Sequence, residues 1–157
     1  MEISIRNRQR SKRINTRFLK RIVVKLFSEL KVSEAELGLH LVGEKEMVRV
    51  NWQFLQHAGS TDVITFDHME ENRKPETGNR KKIHGELFVC VDDAVAQAKQ
   101  FKTSWQSELV RYIVHGILHL LGYDDLQPHL RRVMKRAENR RMRRLAKRFS
   151  FKQLHAK

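Results

Sequence analysis

The chain is poor in the residues that staple or punctuate small folds: one cysteine, two prolines and seven glycines among 157 residues. A lone thiol, Cys90, cannot close an internal disulfide, so the fold does not depend on an oxidising compartment. No apolar run approaches the ~20 residues that a membrane helix needs. The opening residues, Met1 to Arg6, lack the apolar core of a secretory signal. These absences argue against a membrane protein, a disulfide scaffold and a secreted factor, and leave a cytoplasmic location as the expectation. Acidic residues are scarce as well: 18 Asp and Glu face 32 Lys and Arg, for a net charge of +14. The apolar share is 40%, enough for a real core in a chain of one-domain length.

The positive charge is concentrated at the two ends. Residues 1–25 carry nine Lys or Arg against Glu2 alone, and residues 131–157 carry 12 against Glu138 alone. The intervening body holds 11 basic and 16 acidic side chains and is mildly negative. Basic ends on an acidic body suit a polyanion such as RNA, where phosphate neutralisation dominates affinity. They also suit solvated helix faces that keep a protein in solution, and charge alone does not separate the two readings. At 3.6 residues per turn, Arg132, Arg136, Arg140, Arg143 and Lys147 form a cationic ridge, the candidate nucleic-acid contacts. Leu130, Val133, Met134, Ala137 and Leu145 fall on the opposite, docking side. Arg141 and Arg148 interrupt that apolar stripe, so the last turns are expected to run past the body. Residues 150–157 show no pattern that demands order and are expected to be a disordered basic tail beyond a single domain at 1–149.

Local patterns predict the order β-α-β-α-β-β-α-α-α. Ile3 and Ile5 alternate in a first strand, and Asn15 caps a helix spaced by Phe18, Leu19, Ile22, Val23 and Leu26. Leu37, Leu39 and Leu41 alternate in a second strand, followed by helical spacing from Glu44 to Leu55. Asp62–Phe66 and Leu87–Val91 read as strands, separated by a polar surface excursion over residues 67–82. Asp92 or Asp93 is expected to cap a helix running to about Phe101, and Thr103 with Gln106 to form a capping box for the next. Gly122 is placed to end that helix. The result is a single α+β domain with a small mixed β-sheet of about four strands packed with helices. Trp52 and Trp105 fit anchors in the core or on a helix face better than base-stacking platforms. Cys90, inside an apolar strand, reads as inert, and His40, His57, His68 and His84 lack ligand spacing.

Chemistry concentrates in the helix after Thr103, which reads Leu109-Val-Arg-Tyr-Ile-Val-His115-Gly-Ile-Leu-His119-Leu-Leu-Gly122. Two histidines one helical turn apart on a buried helix can share one metal ion, or can be two satisfied core residues. Helical zinc peptidases carry a glutamate general base directly after the first histidine. Gly116 stands there instead, which disfavours peptidase chemistry.

The stretch from His115 to Asp124 resembles the H-G-x-L-H-L-x-G-Y-D-H signature of the YbeY family of bacterial metal-dependent endoribonucleases and ribosomal-RNA maturation factors. Asn51 followed by Ser60-Thr-Asp62-Val-Ile-Thr-Phe66 resembles the family's N-x-x-Y-R … T-D-V-L-S-F block, and His84-Gly-Glu-Leu-Phe-Val its G-D-I-x-I-S strand. The resemblance implies a small mixed sheet under helices and one divalent ion, usually zinc, held by three ligands. It also implies hydrolysis of single-stranded RNA, with the ribosome or its RNA as partner and no small-molecule cofactor besides the metal. Two positions depart from the pattern. The third signature histidine falls on Asp125, so the implied ligand set becomes His115, His119 and Asp125, a carboxylate being a legitimate zinc ligand. Asp124 and His129 are neighbouring alternatives, and Asp125 also fits a helix N-cap. The family's arginine, taken to contact the scissile phosphate, is replaced by Leu55, which can neither donate to it nor neutralise it.

Overall fold

A computed structural model describes residues 1–69 and 81–157. Most of the polar excursion expected between the third and fourth strands, including Pro75 and Gly78, lies outside the described residues. Four strands form one mixed sheet in the order β1-β2-β4-β3, with β1 (Glu2–Asn7), β2 (Glu34–Val42), β3 (Val63–Asp67) and β4 (Lys82–Cys90). β1 and β4 both run parallel to β2, whereas β3 pairs antiparallel with β4 from Val63↔Val89 to Asp67↔Gly85. The helices are α1 (Thr16–Glu29), α2 (Glu44–Val50), α3 (Val91–Phe101), α4 (Trp105–Leu120) and α5 (Pro128–Arg148). This is the α+β arrangement with a four-stranded sheet that the alternation predicted. Among the described residues, no helix is long and apolar enough to cross a membrane.

Period-two alternation decides what each sheet face meets. Leu37, Leu39 and Leu41 of β2 and Leu87 and Val89 of β4 turn to one face, where Leu19, Phe27, Leu109, Ile113 and Ile117 of α1 and α4 complete the main core. Each such side chain, fully removed from water, contributes about 1.5–3 kcal/mol. The other face carries a smaller cluster in which Met47 and Val50 of α2 cover Val42, Ile64 and Cys90. Burial raises the Cys90 thiol to about 11, consistent with an inert residue.

Several local expectations shift. Helical spacing past Val50 gives way to a π turn over Asn51–Leu55, closed by Gln56 in the left-handed region. The wider turn rotates the face: Asn51 points inward and donates to the Gly59 carbonyl at 3.0 Å, while Trp52 is 62% and Phe54 57% exposed. Trp52 is therefore not a core anchor, whereas Trp105 packs against the main core as expected. Helix α3 begins before the two aspartates, with Cys90 at its N-cap, because Asp92 serves other partners: the Glu44 amide at 2.7 Å and the Ser11 hydroxyl. The cap of α4 moves one residue to Ser104, which accepts from the Ser107 amide, while Thr103 donates to Glu108 instead.

The chain end corrects the expectation of a disordered tail over residues 150–157. Phe151–Leu154 form a 3₁₀ turn, Leu154 is fully buried, and His155 bridges Ile14. Phe151 and Leu154 are too few to make a periodic signal, yet both pack on the main core, and the Asn15 amide donates to the Leu154 carbonyl at 2.8 Å and the Ala156 amide to the Arg13 carbonyl at 2.9 Å. The C-terminal turns of α5 likewise stay docked. Met142 and Leu145 are buried, and Arg141, expected to break the stripe, reaches sideways to Glu29 at 3.7 Å.

Candidate metal centre

Helix α4 is buried on most sides, and Gly116 explains how closely it approaches the sheet. A Cβ there would lie 2.8 Å from a Leu87 methyl and 3.3 Å from Val63. The position that a peptidase would give to glutamate is thus occupied by sheet packing. One turn apart on the flank of this helix, His115 and His119 present their rings at 4.7 Å between centroids.

The end of α4 sets the second half of the site. Gly122, at φ 101°, closes a Schellman turn in which its amide donates to the His119 carbonyl and the Tyr123 amide to the Leu118 carbonyl. The reversal returns the chain over the histidines. Asp124 folds onto its own loop, accepting from the Leu126 amide at 2.9 Å. Asp125 turns its carboxylate inward, with Oδ2 3.4 Å from His119 Nε2 and 3.7 Å from His115 Nε2. Asp125 is not the N-cap of α5, since Gln127 occupies that position, and His129 is exposed.

The hydrogen bonds behind the rings determine what their front atoms offer. His115 Nδ1 lies 2.9 Å from Glu138 Oε2, and His119 Nδ1 lies 3.1 Å from the Tyr123 carbonyl oxygen. A carboxylate and a carbonyl can only accept, so each Nδ1 donates and each neutral ring keeps its lone pair on Nε2. Those two Nε2 atoms stand 3.2 Å apart. Two lone pairs at that separation repel unless a cation, whether a proton or a metal ion, lies between them. Burial, reinforced by the neighbouring His115, lowers the His119 pKa and so opposes the proton. The three donor atoms form a triangle with edges of 3.2, 3.4 and 3.7 Å. A tetrahedral zinc with bonds near 2.0–2.1 Å requires edges of about 3.3 Å. Among the described residues, His115, His119 and Asp125 are the group compatible with a metal ion.

Glu138 is the element that residue-by-residue reading missed. Only 4% exposed, it takes Arg111 Nη1 at 2.7 Å on Oε1 while Oε2 accepts from His115. Burial by itself would raise this carboxyl, but the hydrogen bonds from His115 and Arg111 and the charge of Lys135 outweigh it and hold it at about 2. A signal existed in the sequence. Glu138 is the single acid in the basic C-terminal segment, four residues from both Met134 and Met142 on the docking stripe. The predicted ridge residues Arg132, Arg136, Arg140, Arg143 and Lys147 are all exposed on α5. Leu55 ends the π turn, 41% exposed, and lines neither cleft beside the histidines.

Fold and site together define a small α+β protein with two imidazoles and a carboxylate converging where its buried helix ends. The family model described as Endoribonuclease YbeY matches residues 4–146, and the chain belongs to that family. Endoribonuclease YbeY of Bacteroides fragilis is 38% identical over 105 residues, covering 67% of this chain and 69% of the relative. That of Bacteroides thetaiotaomicron is 34% identical over 129 residues, covering 82% and 85%. A solution structure from Thermotoga maritima matches with a TM-score of 0.67 over 93% of this chain and 90% of that one. At 24% identity it supports the shared fold.

Proposed function

We propose that this chain is a metal-dependent, single-strand-specific endoribonuclease that acts in the cytoplasm on ribosomal RNA during its maturation. The observation that carries the reading is the convergence of His115 Nε2, His119 Nε2 and Asp125 Oδ2, with both Nδ1 atoms committed elsewhere, in a chain of the endoribonuclease YbeY family. His115, His119 and Asp125 would hold one divalent ion, zinc by the chemistry of the donor set. Bound there, such an ion supplies Lewis acidity toward a phosphodiester oxygen and makes water a stronger acid.

The chain's own residues do the rest. Glu138 and the Tyr123 carbonyl fix the imidazole tautomers, and Arg111 holds Glu138. Asp125 brings a negative charge that a third histidine would not, which weakens the acidity gained by water and favours a slower reaction than an all-histidine site. The ridge of Arg132, Arg136, Arg140, Arg143 and Lys147 would contact RNA phosphates and carry the ribosome- or RNA-binding role. Cleavage of a single-stranded RNA that stops on chelation, returns with zinc and is absent in His115→Ala is the expected result. Leu55 favours a second reading, a non-catalytic RNA- or ribosome-binding protein on the same fold. RNA binding without cleavage by the zinc-loaded wild type would select it.

A further inference from the structure

Two clefts flank the converged histidines and Asp125, and their charge differs. The one on the His119 side, about 320 Å³, is lined by Thr65, Asp124, Asp125 and Leu126 and takes no Lys or Arg from among the described residues. The one on the His115 side, about 620 Å³, has Arg131, Arg132 and Lys135 from the first turns of α5 along its wall, and Arg111 from α4. A volume of that size accommodates a nucleotide.

Acids line this larger cleft too, but each is engaged. Glu138 serves Arg111 and His115. Glu108, 9% exposed, accepts the Thr103 hydroxyl at 2.7 Å, and Asp62 accepts the Val63 amide at 2.8 Å. Of the cations, Arg111 is committed to Glu138 and Asn139, and Lys135 leans on Glu138 at 3.4 Å. Arg131 is different. Its Nη1 donates to the backbone carbonyl of Asp125 at 3.2 Å, which pins one corner of the guanidinium against the loop that carries the third donor. Among the described residues the remaining N–H groups of that planar fork meet no other acceptor and can serve a ligand. Arg132 is exposed and has no ion-pair partner among the described residues.

The geometry points to a phosphodiester subsite in this cleft, with Arg131 and Arg132 gripping the phosphate beside His115. They would fill the role for which the family resemblance places an arginine at Leu55. The identity of the ligand as RNA rests on the nuclease reading; the anion site itself does not. Arg143 and Lys147 lie 11–16 residues further along α5, about 17–24 Å at the helical rise, and cannot reach the same phosphate.

The test measures binding of a fluorescein-labelled, 5′-phosphorylated RNA dinucleotide to the full chain, zinc-loaded and zinc-free, by anisotropy. Arg131→Ala/Arg132→Ala is expected to weaken binding about tenfold, and Arg143→Ala/Lys147→Ala by less than about twofold. A longer single-stranded RNA should respond to both pairs, the salt slope falling by about 0.7 for the one phosphate shared by Arg131 and Arg132 and by about 1.4 for the two contacts of Arg143 and Lys147. Arg131→Lys/Arg132→Lys should recover only part of the dinucleotide affinity, since lysine keeps the charge but not the fork. If the alanine pair melts early, Arg132→Gln alone carries the comparison. No binding by the wild type, or equal loss in both pairs, would overturn the subsite. Cleavage is scored separately. Arginine-dependent dinucleotide binding without any RNA cleavage would remove the nuclease reading and leave the subsite standing, whereas cleavage with binding indifferent to Arg131 and Arg132 would do the reverse.

Discussion

Histidines gather on both faces of this sheet, and the two groups use the same ring atoms for opposite purposes. On the face covered by α1 and α4, His115 and His119 spend Nδ1 on Glu138 and the Tyr123 carbonyl, which leaves both Nε2 atoms aimed at one point with Asp125. On the other face, His40 and His68 spend Nε2 on the two oxygens of Glu86, at 2.8 and 2.9 Å, and His84 leans toward Glu36 at 3.6 Å. There the carboxylate is the hub and the imidazoles radiate from it, so no lone pairs converge. The comparison shows that histidine count and proximity do not by themselves offer converging donors to an ion. The atom consumed by the supporting hydrogen bond decides that.

The largest effect that would break this contrast concerns metal content. After exhaustive dialysis, the wild type is expected to retain about one zinc per chain, and Asp125→Ala or His119→Ala to lose nearly all of it, while His40→Ala/His68→Ala retains it. Elemental analysis reads the result, and zinc lost from the second pair would mean that the carboxylate-centred cluster also binds. Next in size is Glu138→Ala. Removing one partner of a buried ion pair costs about 3–5 kcal/mol, and Arg111, 31% side-chain exposed, places this case at the low end. The same change frees the His115 ring and should weaken zinc binding about 10–100-fold, measurable by competition with a chromogenic chelator. Unchanged affinity would show that Tyr123 and packing suffice to orient the pair.

Much of this is legible in the sequence itself. The strands and the histidine helix follow from alternation and from i, i+4 spacing, since both patterns report burial directly. Gly122 announced the turn that brings Asp125 back, and the ridge on α5 followed from helical geometry alone. What escaped depends on contacts between distant segments. Glu138 sits among 12 cations, where composition suggests solvent, and only docking of α5 on α4 reveals a buried acid. The face of Trp52 and Phe54 turned on one π turn, which has no signature in side-chain type. The aspartates in the first turn of α3 read as caps because the use of Asp92 by Ser11 and Glu44, and of Asp93 by Ser60, is a tertiary matter.

Acid titration separates the two clusters by their carboxylates. The Glu138 carboxyl moves from 4.5 to about 2 on folding, so the folded state binds fewer protons in that window. Its contribution, up to about 3 kcal/mol, is complete above pH 5 and is lost as pH falls from about 4.5 toward 2. Urea melts of the wild type and Glu138→Gln should converge as pH drops through that range. Parallel curves would show that the buried pair does not drive acid unfolding.

The smallest predicted effect is on the opposite face. Hydrogen bonds from His68 and His40 lower the Glu86 pKa as well, so its contribution has the same sign, present at neutral pH and fading in acid. Glu86 is 39% exposed in its side chain and His68 44%, and water screens a pair of that kind. Glu86→Gln is therefore expected to cost less than about 1 kcal/mol at neutral pH. Salt should reduce even that difference, whereas the Glu138 effect should persist at high ionic strength because its own carboxylate is buried. A Glu86→Gln cost equal to that of Glu138→Gln would mean that burial does not distinguish the two faces. The supporting hydrogen bond would then have to be sought in the strands rather than in the docking of α5.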